Sequence, residues 1–110
     1  MRQKKASFFK KVYGIVMKIP TGKVMTYGQI ARIIGNPKAS QAVGWALHAN
    51  KYPKKVLCYR VVSKHGKLSS SFAYGGIEGQ RNRLLNDKTP FINYDTVDLK
   101  KCQCEKNANC

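Results

Sequence analysis

The stretch that decides the fold occupies residues 26–50 and reads "TYGQIARIIGNPKASQAVGWALHAN". Thr26 and Gln29 have the spacing of a capping box, which predicts that a helix begins at this point. Gly35 is typical of a helix end, because glycine adopts the left-handed backbone conformation found there. The apolar residues between these signals share one helical face: Ile30, Ile33 and Ile34.

The second half of the stretch predicts another helix, with Asn36 as its cap and Pro37 as its first residue. Val43 and Leu47 are expected to point inward, and so is Trp45, which could instead face a pocket. The start of this helix is basic and carries small residues: Ala39, Ser40 and Ala42. Two short helices joined by a turn indicate a helix-turn-helix, a pattern that many DNA-binding proteins use.

The flanking segments predict a mainly α domain with small β elements over residues 1–101. A helix is expected over residues 7–20, with Ser7 as its cap and Pro20 as its stop. The later segments are, in order, a strand or extended piece "KVLCYRVV", a Ser/Gly-rich loop "LSSSFAYGGI" that could form a pocket wall, a helix "EGQRNRLLND" and a hairpin "FINYDTVDLKK". Residues 102–110 are expected to be a disordered tail.

The charge of the chain indicates a polyanionic partner. The formal net charge is +16, and residues 1–77 hold fifteen Lys or Arg and no carboxylate. Such a surface attracts nucleic acid and releases its counterions, whereas a surface that serves only solubility mixes both signs. No apolar run approaches the roughly 20 residues of a membrane span. An intracellular protein is expected, in the cytoplasm with the nucleoid or in a nucleus.

The cysteines and histidines predict no metal site. Cys102, Cys104 and Cys110 crowd the tail, but the spacing lacks the paired cysteines of a zinc knuckle and no His is near. Free thiols are expected there. His48 and His65 are interpreted as surface residues, and no cofactor is predicted.

Several segments together resemble the O6-alkylguanine-DNA alkyltransferase family, and in particular its small single-domain members, which include the alkyltransferase-like proteins. The matching elements occur in order over about residues 8–101: "TYGQIA", "GNPKA", "AVGWALHAN", "CxRVV", "YGGIEGQRNRLL" and "VDLKK". The resemblance implies a winged-helix-like DNA-binding domain of the alkyltransferase C-terminal type. It also implies a monomer that binds double-stranded DNA with O6-alkylguanine.

The resemblance implies a role for each matched position. Tyr27 would push the damaged nucleotide out of the stack, Gln41 would fill the gap, and Cys58 would take the alkyl group. The DNA contacts implied are Tyr27, Gly28, Asn36, Ala39, Ser40, Gln41, Arg60 and Lys64. The lesion pocket implied is Trp45, Asn50, Ser71, Phe72, Ala73 and Tyr74. Asn36 and Asn50 are alternatively caps or hinge groups, and Arg60 is alternatively a helix anchor.

The chain departs from the family pattern beside the acceptor cysteine. The signature Pro-Cys-His-Arg-Val here reads "LCYRV", so Tyr59 replaces the histidine that acts as base. The glutamate that orients this histidine aligns with Lys88. A tyrosine with a pKa near about 10 is a poor base, although nearby Arg60, Lys54, Lys55 and Lys64 are expected to lower the thiol pKa.

Three functions follow from this pattern. The first is stoichiometric transfer of the alkyl group to Cys58, with Tyr59 at the relay position. The second is a non-enzymatic lesion sensor that recruits nucleotide excision repair proteins. The third is an ordinary regulatory helix-turn-helix protein without a preference for damaged DNA.

Overall fold

A computed structural model describes the chain from residue 2 to residue 105, with side chains from Ser7 onward. It confirms a mainly α, winged-helix-like fold with small β elements. The elements are α1 (Arg2–Val16), β1 (Met25–Thr26), α2 (Tyr27–Ile34), α3 (Ser40–His48), a 3-10 turn (Cys58–Arg60), β2 (Val61–Val62), α4 (Gly76–Asn86), β3 (Phe91–Asn93), β4 (Thr96–Val97) and α5 (Leu99–Cys102). No helix in residues 2–105 has the length and apolar character needed to cross a bilayer.

The capping box predicted at the start of α2 is present. The Gln29 backbone N–H donates to Thr26 Oγ1 at 3.1 Å, and the Thr26 N–H donates to Gln29 Oε1 at 3.3 Å. Gly35 ends the helix with φ 96°. This closure fixes the N-terminal edge of α2, where Tyr27 is the first helical residue.

Helix α3 begins later than the sequence predicts, at Ser40 instead of Pro37. The reason is that Asn36 closes α2: its N–H donates to the Ala31 carbonyl at 2.9 Å, as in a Schellman motif. Asn36 also accepts from the Ala39 N–H at 2.9 Å, so residues 36–39 form a turn. Asn36 is therefore not the cap of α3.

Helix α1 also differs from its prediction, because it begins at Arg2 and Ser7 lies inside it. The residues before Ser7 are mostly strong helix formers, so the helix extends past the expected cap. The core face of α1 includes Val12 and Val16, which are buried against α2 and α3.

A small parallel sheet places the acceptor segment beside α2. Strands β1 and β2 pair with Met25 opposite Val61 and Thr26 opposite Val62. Because Tyr27 follows β1 and the turn that begins at Cys58 precedes β2, the sheet brings the two positions to one side of the fold. The predicted hairpin is present as β3 and β4, but the last three residues of the predicted segment, 99–101, belong to α5 instead.

Trp45 was expected to point into the core, but it does not: 60% of its surface is exposed. Val43, Ala46 and Leu47 fill the core-facing positions of α3 at helical spacing. That face leaves Trp45 on the outer side of the helix.

The prediction of a disordered tail is wrong for residues 102–105, while residues 106–110 lie outside the described part. The Val24 N–H donates to the Cys102 carbonyl at 2.9 Å, and the Cys104 N–H donates to the Val24 carbonyl at 2.8 Å. Cys102 is fully buried, and Cys104 is buried and disulfide-bonded rather than a free thiol. The segment is therefore held against β1.

Gln29 fastens this segment to α2 through a buried amide. Its Nε2 donates to the carbonyls of Cys104 at 2.8 Å and Glu105 at 2.9 Å, and its Oε1 accepts from Gln103 Nε2 at 3.0 Å. We expect Gln29→Leu to lower the free energy of unfolding by about 2–3 kcal/mol, because buried backbone carbonyls lose their donors. Urea denaturation measures the loss.

The matched control for Gln29 is Arg32→Ala, an exposed change on the same helix. It should alter the free energy of unfolding by no more than about 0.5 kcal/mol. Equal, small effects of both changes would mean that the Gln29 amide does not hold the C-terminal segment.

Candidate functional site

A cavity of about 640 Å³ opens between α2, α3, the Cys58 turn and the loop before α4. Small-molecule sites in proteins have volumes of roughly 300–1,000 Å³, so the cavity has room for a nucleobase with a substituent. Its lining residues are Tyr27, Ser40, Gln41, Gly44, Trp45, Leu47, His48, Cys58, Ser69, Ser71, Phe72, Ala73 and Gln80.

The cavity brings together most of the predicted pocket and several predicted DNA contacts. Tyr27, Ser40 and Gln41 line it from the helix-turn-helix, and Cys58 lies in its wall. The loop contributes three of the predicted residues: Ser71, Phe72 and Ala73. Tyr27 is partly buried, and burial raises the pKa of its hydroxyl, so the ring enters the site as a neutral phenol.

Five lining residues were not predicted as part of the site: Gly44, Leu47, His48, Ser69 and Gln80. His48 could have been found, because Gln41, Trp45 and His48 follow one another at helical spacing on the outer face of α3. His48 Nδ1 lies 3.2 Å from the Ser71 carbonyl and so connects α3 with the loop. The place of Gln80 in the site could not be predicted from the sequence, since a glutamine in a polar helix is expected at the surface.

Asn50 and Tyr74 do not line the cavity. Asn50 Nδ2 donates to the Val56 carbonyl at 2.8 Å, and Asn50 Oδ1 accepts from the Tyr52 N–H at 2.9 Å. The Tyr74 hydroxyl donates to the Asn50 carbonyl. These contacts favour the hinge interpretation of Asn50, because they fix the chain between α3 and the Cys58 turn.

Besides Arg60, four predicted DNA contacts lie outside the cavity lining: Gly28, Asn36, Ala39 and Lys64. Asn36 and Lys64 are exposed, and Gly28 and Ala39 are partly buried. Their contact with DNA stays a prediction.

Cys58 is buried, with 6% of the residue's surface exposed, and burial raises the pKa of its thiol. A hydrogen bond from Asn50 and the charge of Arg83 act in the opposite direction and are weaker than burial. The expectation that Arg60 and nearby lysines lower the thiol pKa is therefore wrong in its net direction. At neutral pH the group is a protonated thiol, which is a weak nucleophile.

Arg60 is an anchor in the interior of the fold. Its side chain is buried and donates to the Ile19 carbonyl at 2.7 Å, to Thr21 Oγ1 at 3.2 Å and to Asp87 Oδ2 at 2.9 Å. Each of the three guanidinium nitrogens donates to a protein group and the side chain is buried, which leaves it little access to a phosphate. The alternative of a helix anchor is the one that these contacts support.

The carboxylate beside Tyr59 is Asp87, and the predicted alignment of a relay acid with Lys88 is off by one residue. The Tyr59 hydroxyl donates to Asp87 Oδ2 at 2.9 Å. Helix α4 ends at Asn86, and Lys88 turns into solvent with φ 63°. A carboxylate is thus available next to the position of the missing histidine, while the tyrosine hydroxyl is used as a donor to it.

Gln80 connects the acceptor turn with the pocket loop. Its amide is buried, its Nε2 donates to the carbonyls of Tyr59 and Val61 at 3.0 Å each, and its Oε1 accepts from the Ser69 N–H at 2.9 Å. The three bonds fix both walls of the cavity from one side chain.

We expect Gln80→Leu to lower the free energy of unfolding by about 2–3 kcal/mol, because the buried carbonyls of Tyr59 and Val61 and the partly buried N–H of Ser69 lose their bonds to this side chain. Gln80→Glu should be destabilising at neutral pH and recover as pH falls, since only a protonated carboxyl can donate to the Tyr59 or Val61 carbonyl. Urea denaturation at several pH values measures both. The exposed neighbour Asn82→Ala serves as control, and a pH-independent Gln80→Glu would contradict the assignment.

A family model described as "6-O-methylguanine DNA methyltransferase, DNA binding domain" matches residues 7–89. The methylated-DNA–protein-cysteine methyltransferase of Methanosarcina acetivorans is 48% identical over 62 residues, which is 56% of this chain and 40% of that protein. The DNA base-flipping protein of Escherichia coli is 32% identical over 99 residues, which is 90% of this chain and 75% of that protein.

The fold is also similar to a solved structure of Atl1 from S. pombe in complex with damaged DNA containing O6-carboxymethylguanine. The TM-score is 0.79 at 30% identity, and the match covers 91% of this chain and 96% of Atl1. The chain spans less than half of the length of the Methanosarcina enzyme. With the family model matched over most of its residues, the chain belongs to the 6-O-methylguanine DNA methyltransferase DNA-binding-domain family.

Proposed function

We propose that the chain binds duplex DNA containing O6-alkylguanine, draws the damaged base into the cavity and transfers its alkyl group once to Cys58. The observation that carries the proposal is the place of Cys58 in the wall of a cavity whose rim is the outer face of α3. Relatives that are named as a methyltransferase and as a base-flipping protein support it.

The charge of the helix-turn-helix half supports the choice of DNA as partner. Residues 1–77, which include α1, α2 and α3, carry no carboxylate. Small residues at the start of α3, Ser40 and Ala42, leave room for a close approach of the DNA backbone. Contacts to the phosphates would position the protein on DNA without reading the base sequence.

Base flipping is the role proposed for Tyr27. The target oxygen cannot be reached inside a duplex, and unstacking the base costs a few kcal/mol. Tyr27 begins α2 and lines the cavity, where its ring can occupy the path between the stack and the pocket. Gln41, exposed on the same rim, is proposed to fill the space that the base leaves.

The proposed transfer is a displacement at the alkyl carbon. Cys58 Sγ, after losing its proton to solvent, attacks this carbon, so that an S–C bond forms and the C–O6 bond breaks. The bonding electrons pass to guanine, which takes up one proton. Because burial raises the pKa of the thiol, little thiolate exists at neutral pH and the transfer is slow.

We expect the transfer rate to rise with pH by up to about tenfold per unit across the neutral range, because the thiolate fraction rises by this factor below the thiol pKa. Single-turnover assays with O6-methylguanine DNA at several pH values measure the slope, with circular dichroism as a control for unfolding. A flat profile would contradict an activating step that depends on thiol ionisation.

The second candidate function is a non-enzymatic lesion sensor that recruits nucleotide excision repair proteins. Two observations favour it: Cys58 has a raised pKa, and the Tyr59 hydroxyl donates to Asp87 rather than serving as a base. Similarity to Atl1 bound to damaged DNA is compatible with both candidates.

Intact-mass measurement after incubation with O6-methylguanine DNA separates the two functions. Transfer predicts the gain of one methyl group on the peptide containing Cys58. The sensor predicts no gain and lesion-selective binding that Cys58→Ala leaves unchanged. Equal affinity for alkylated and plain duplexes of one sequence would reject both and leave the regulatory protein.

A further inference from the structure

Trp45 lies at the rim of the cavity in an unusual state for a large aromatic residue. It is the single tryptophan of the chain, it lines the cavity, and 60% of its surface is exposed. Large aromatic side chains are usually well buried, so an indole left in solvent beside a cavity indicates a surface that a ligand covers.

The Phe72 ring, which also lines the cavity, is held in place by its neighbours, whereas the indole is not. The Phe72 ring packs edge-on against Tyr74 at 5.8 Å and lies under the Arg83 guanidinium at 5.6 Å. Within residues 7–105, no hydrogen bond, ring contact or cation contact joins the Trp45 side chain to another residue. The stacking surface of the indole is therefore available to a ligand.

The cavity has more room than an O6-methyl group requires. Sites of roughly 300–1,000 Å³ accommodate ligands of drug size, and this one measures about 640 Å³. A guanine whose O6 carries a larger arm fits such a space, and the arm would lie among the lining side chains, which include Trp45, Phe72 and Cys58.

We propose that Trp45 is a specificity-determining residue that stacks on flat aromatic O6 substituents, so that the chain prefers an aromatic arm to an aliphatic arm of the same size. The inference rests on the proposed function and deepens it by naming the substrate class. Aromatic pairs gain stability beyond the area they bury, and an indole stacks on flat rings of many kinds. A saturated ring of equal size gains the burial alone.

The test compares duplexes of one sequence that contain O6-benzylguanine, O6-(cyclohexylmethyl)guanine or guanine. Cys58→Ser is present in all proteins so that no transfer occurs during the binding measurement. We expect the benzyl duplex to bind about fivefold more tightly than the cyclohexylmethyl duplex. Trp45→Ala should remove this preference, and Trp45→Phe should keep part of it.

The control variant is Tyr52→Ala, which removes an aromatic side chain that is 63% exposed and lies outside the cavity lining. It should leave the benzyl preference unchanged. The fluorescence of Trp45 gives an independent signal, because it is the sole indole, and the benzyl duplex should quench it more than the cyclohexylmethyl duplex.

Two results would overturn the inference and leave the proposed function intact. They are a benzyl preference that survives Trp45→Ala, and equal binding of the benzyl and cyclohexylmethyl duplexes when both still bind better than plain DNA. Equal binding of all three duplexes would instead reject the proposed function, and the inference with it.

Discussion

Tyr59→His is expected to raise the rate of alkyl transfer to Cys58 by about tenfold to a hundredfold at neutral pH. An imidazole with a pKa near about 6.5 can accept the thiol proton, whereas a tyrosine hydroxyl with a raised pKa cannot do so. The carboxylate needed to orient the imidazole is already in place, because Asp87 accepts the hydroxyl of Tyr59 at 2.9 Å. Single-turnover assays with O6-methylguanine DNA measure the rate.

The matched controls separate base catalysis from a change in packing. Tyr59→Phe removes the hydroxyl and adds no base, so it should not accelerate transfer. Adding Asp87→Asn to Tyr59→His should remove part of the gain, and Asp87→Asn alone reports the cost of disturbing Arg60. An unchanged or slower rate in Tyr59→His would show that residue 59 does not occupy the relay position.

Tyr27→Ala is expected to weaken binding of an O6-methylguanine duplex by about a hundredfold and binding of the undamaged duplex by less than about threefold. The difference arises because the ring offsets the few kcal/mol of unstacking only when a base is flipped, and about 1.4 kcal/mol corresponds to tenfold. Fluorescence anisotropy with both duplexes measures the two affinities in the same buffer.

Tyr27→Phe is the informative control for this prediction, because it keeps the ring and removes the hydroxyl. It should retain most of the selectivity for the lesion. The capping box of Thr26 and Gln29 does not involve the Tyr27 side chain, and Tyr27→Phe keeps the ring that packs against the core, so its thermal stability should remain close to that of the parent. Tyr27→Ala loses those core contacts and should melt at a lower temperature, so its affinities are measured well below its melting temperature. Equal weakening of both duplexes by Tyr27→Ala would contradict a role in flipping.

Local signals in the sequence identified those elements whose ends are set by neighbouring residues. The capping box of Thr26 and Gln29 and the left-handed Gly35 both depend on a few adjacent residues, and both are present in the structure. The start of α3 was misplaced because Asn36 can cap a following helix or close the preceding one. In the structure the Asn36 N–H donates to the Ala31 carbonyl, so Asn36 closes the preceding helix. This contact forms only in the folded turn and could not be predicted from the sequence.

The parts that could not be predicted depend on contacts between residues far apart in the chain. Gln80 is polar in a polar helix, and only the positions of Tyr59, Val61 and Ser69 around it make it a buried junction. The sequence around Cys104 is typical of a disordered tail. In the structure the distant Gln29 donates to the carbonyls of Cys104 and Glu105 and holds this segment in place.

Two expectations about the surroundings of Cys58 were also wrong. Arg60 follows Cys58 closely in sequence, so its charge was expected to act on the thiol, but its side chain turns to Ile19, Thr21 and Asp87. Burial then dominates the pKa of the thiol. The position of the relay acid at the end of α4 was likewise assigned one residue too late, to Lys88. The carboxylate that lies beside Tyr59 belongs to Asp87.

The most direct test of the proposed transfer is intact-mass measurement of the chain after a day with excess O6-methylguanine duplex. We expect a slow gain of one methyl group that peptide mapping assigns to Cys58, with a larger modified fraction at higher pH. No gain under conditions in which the lesion duplex is bound would contradict transfer and leave recognition without repair as the function.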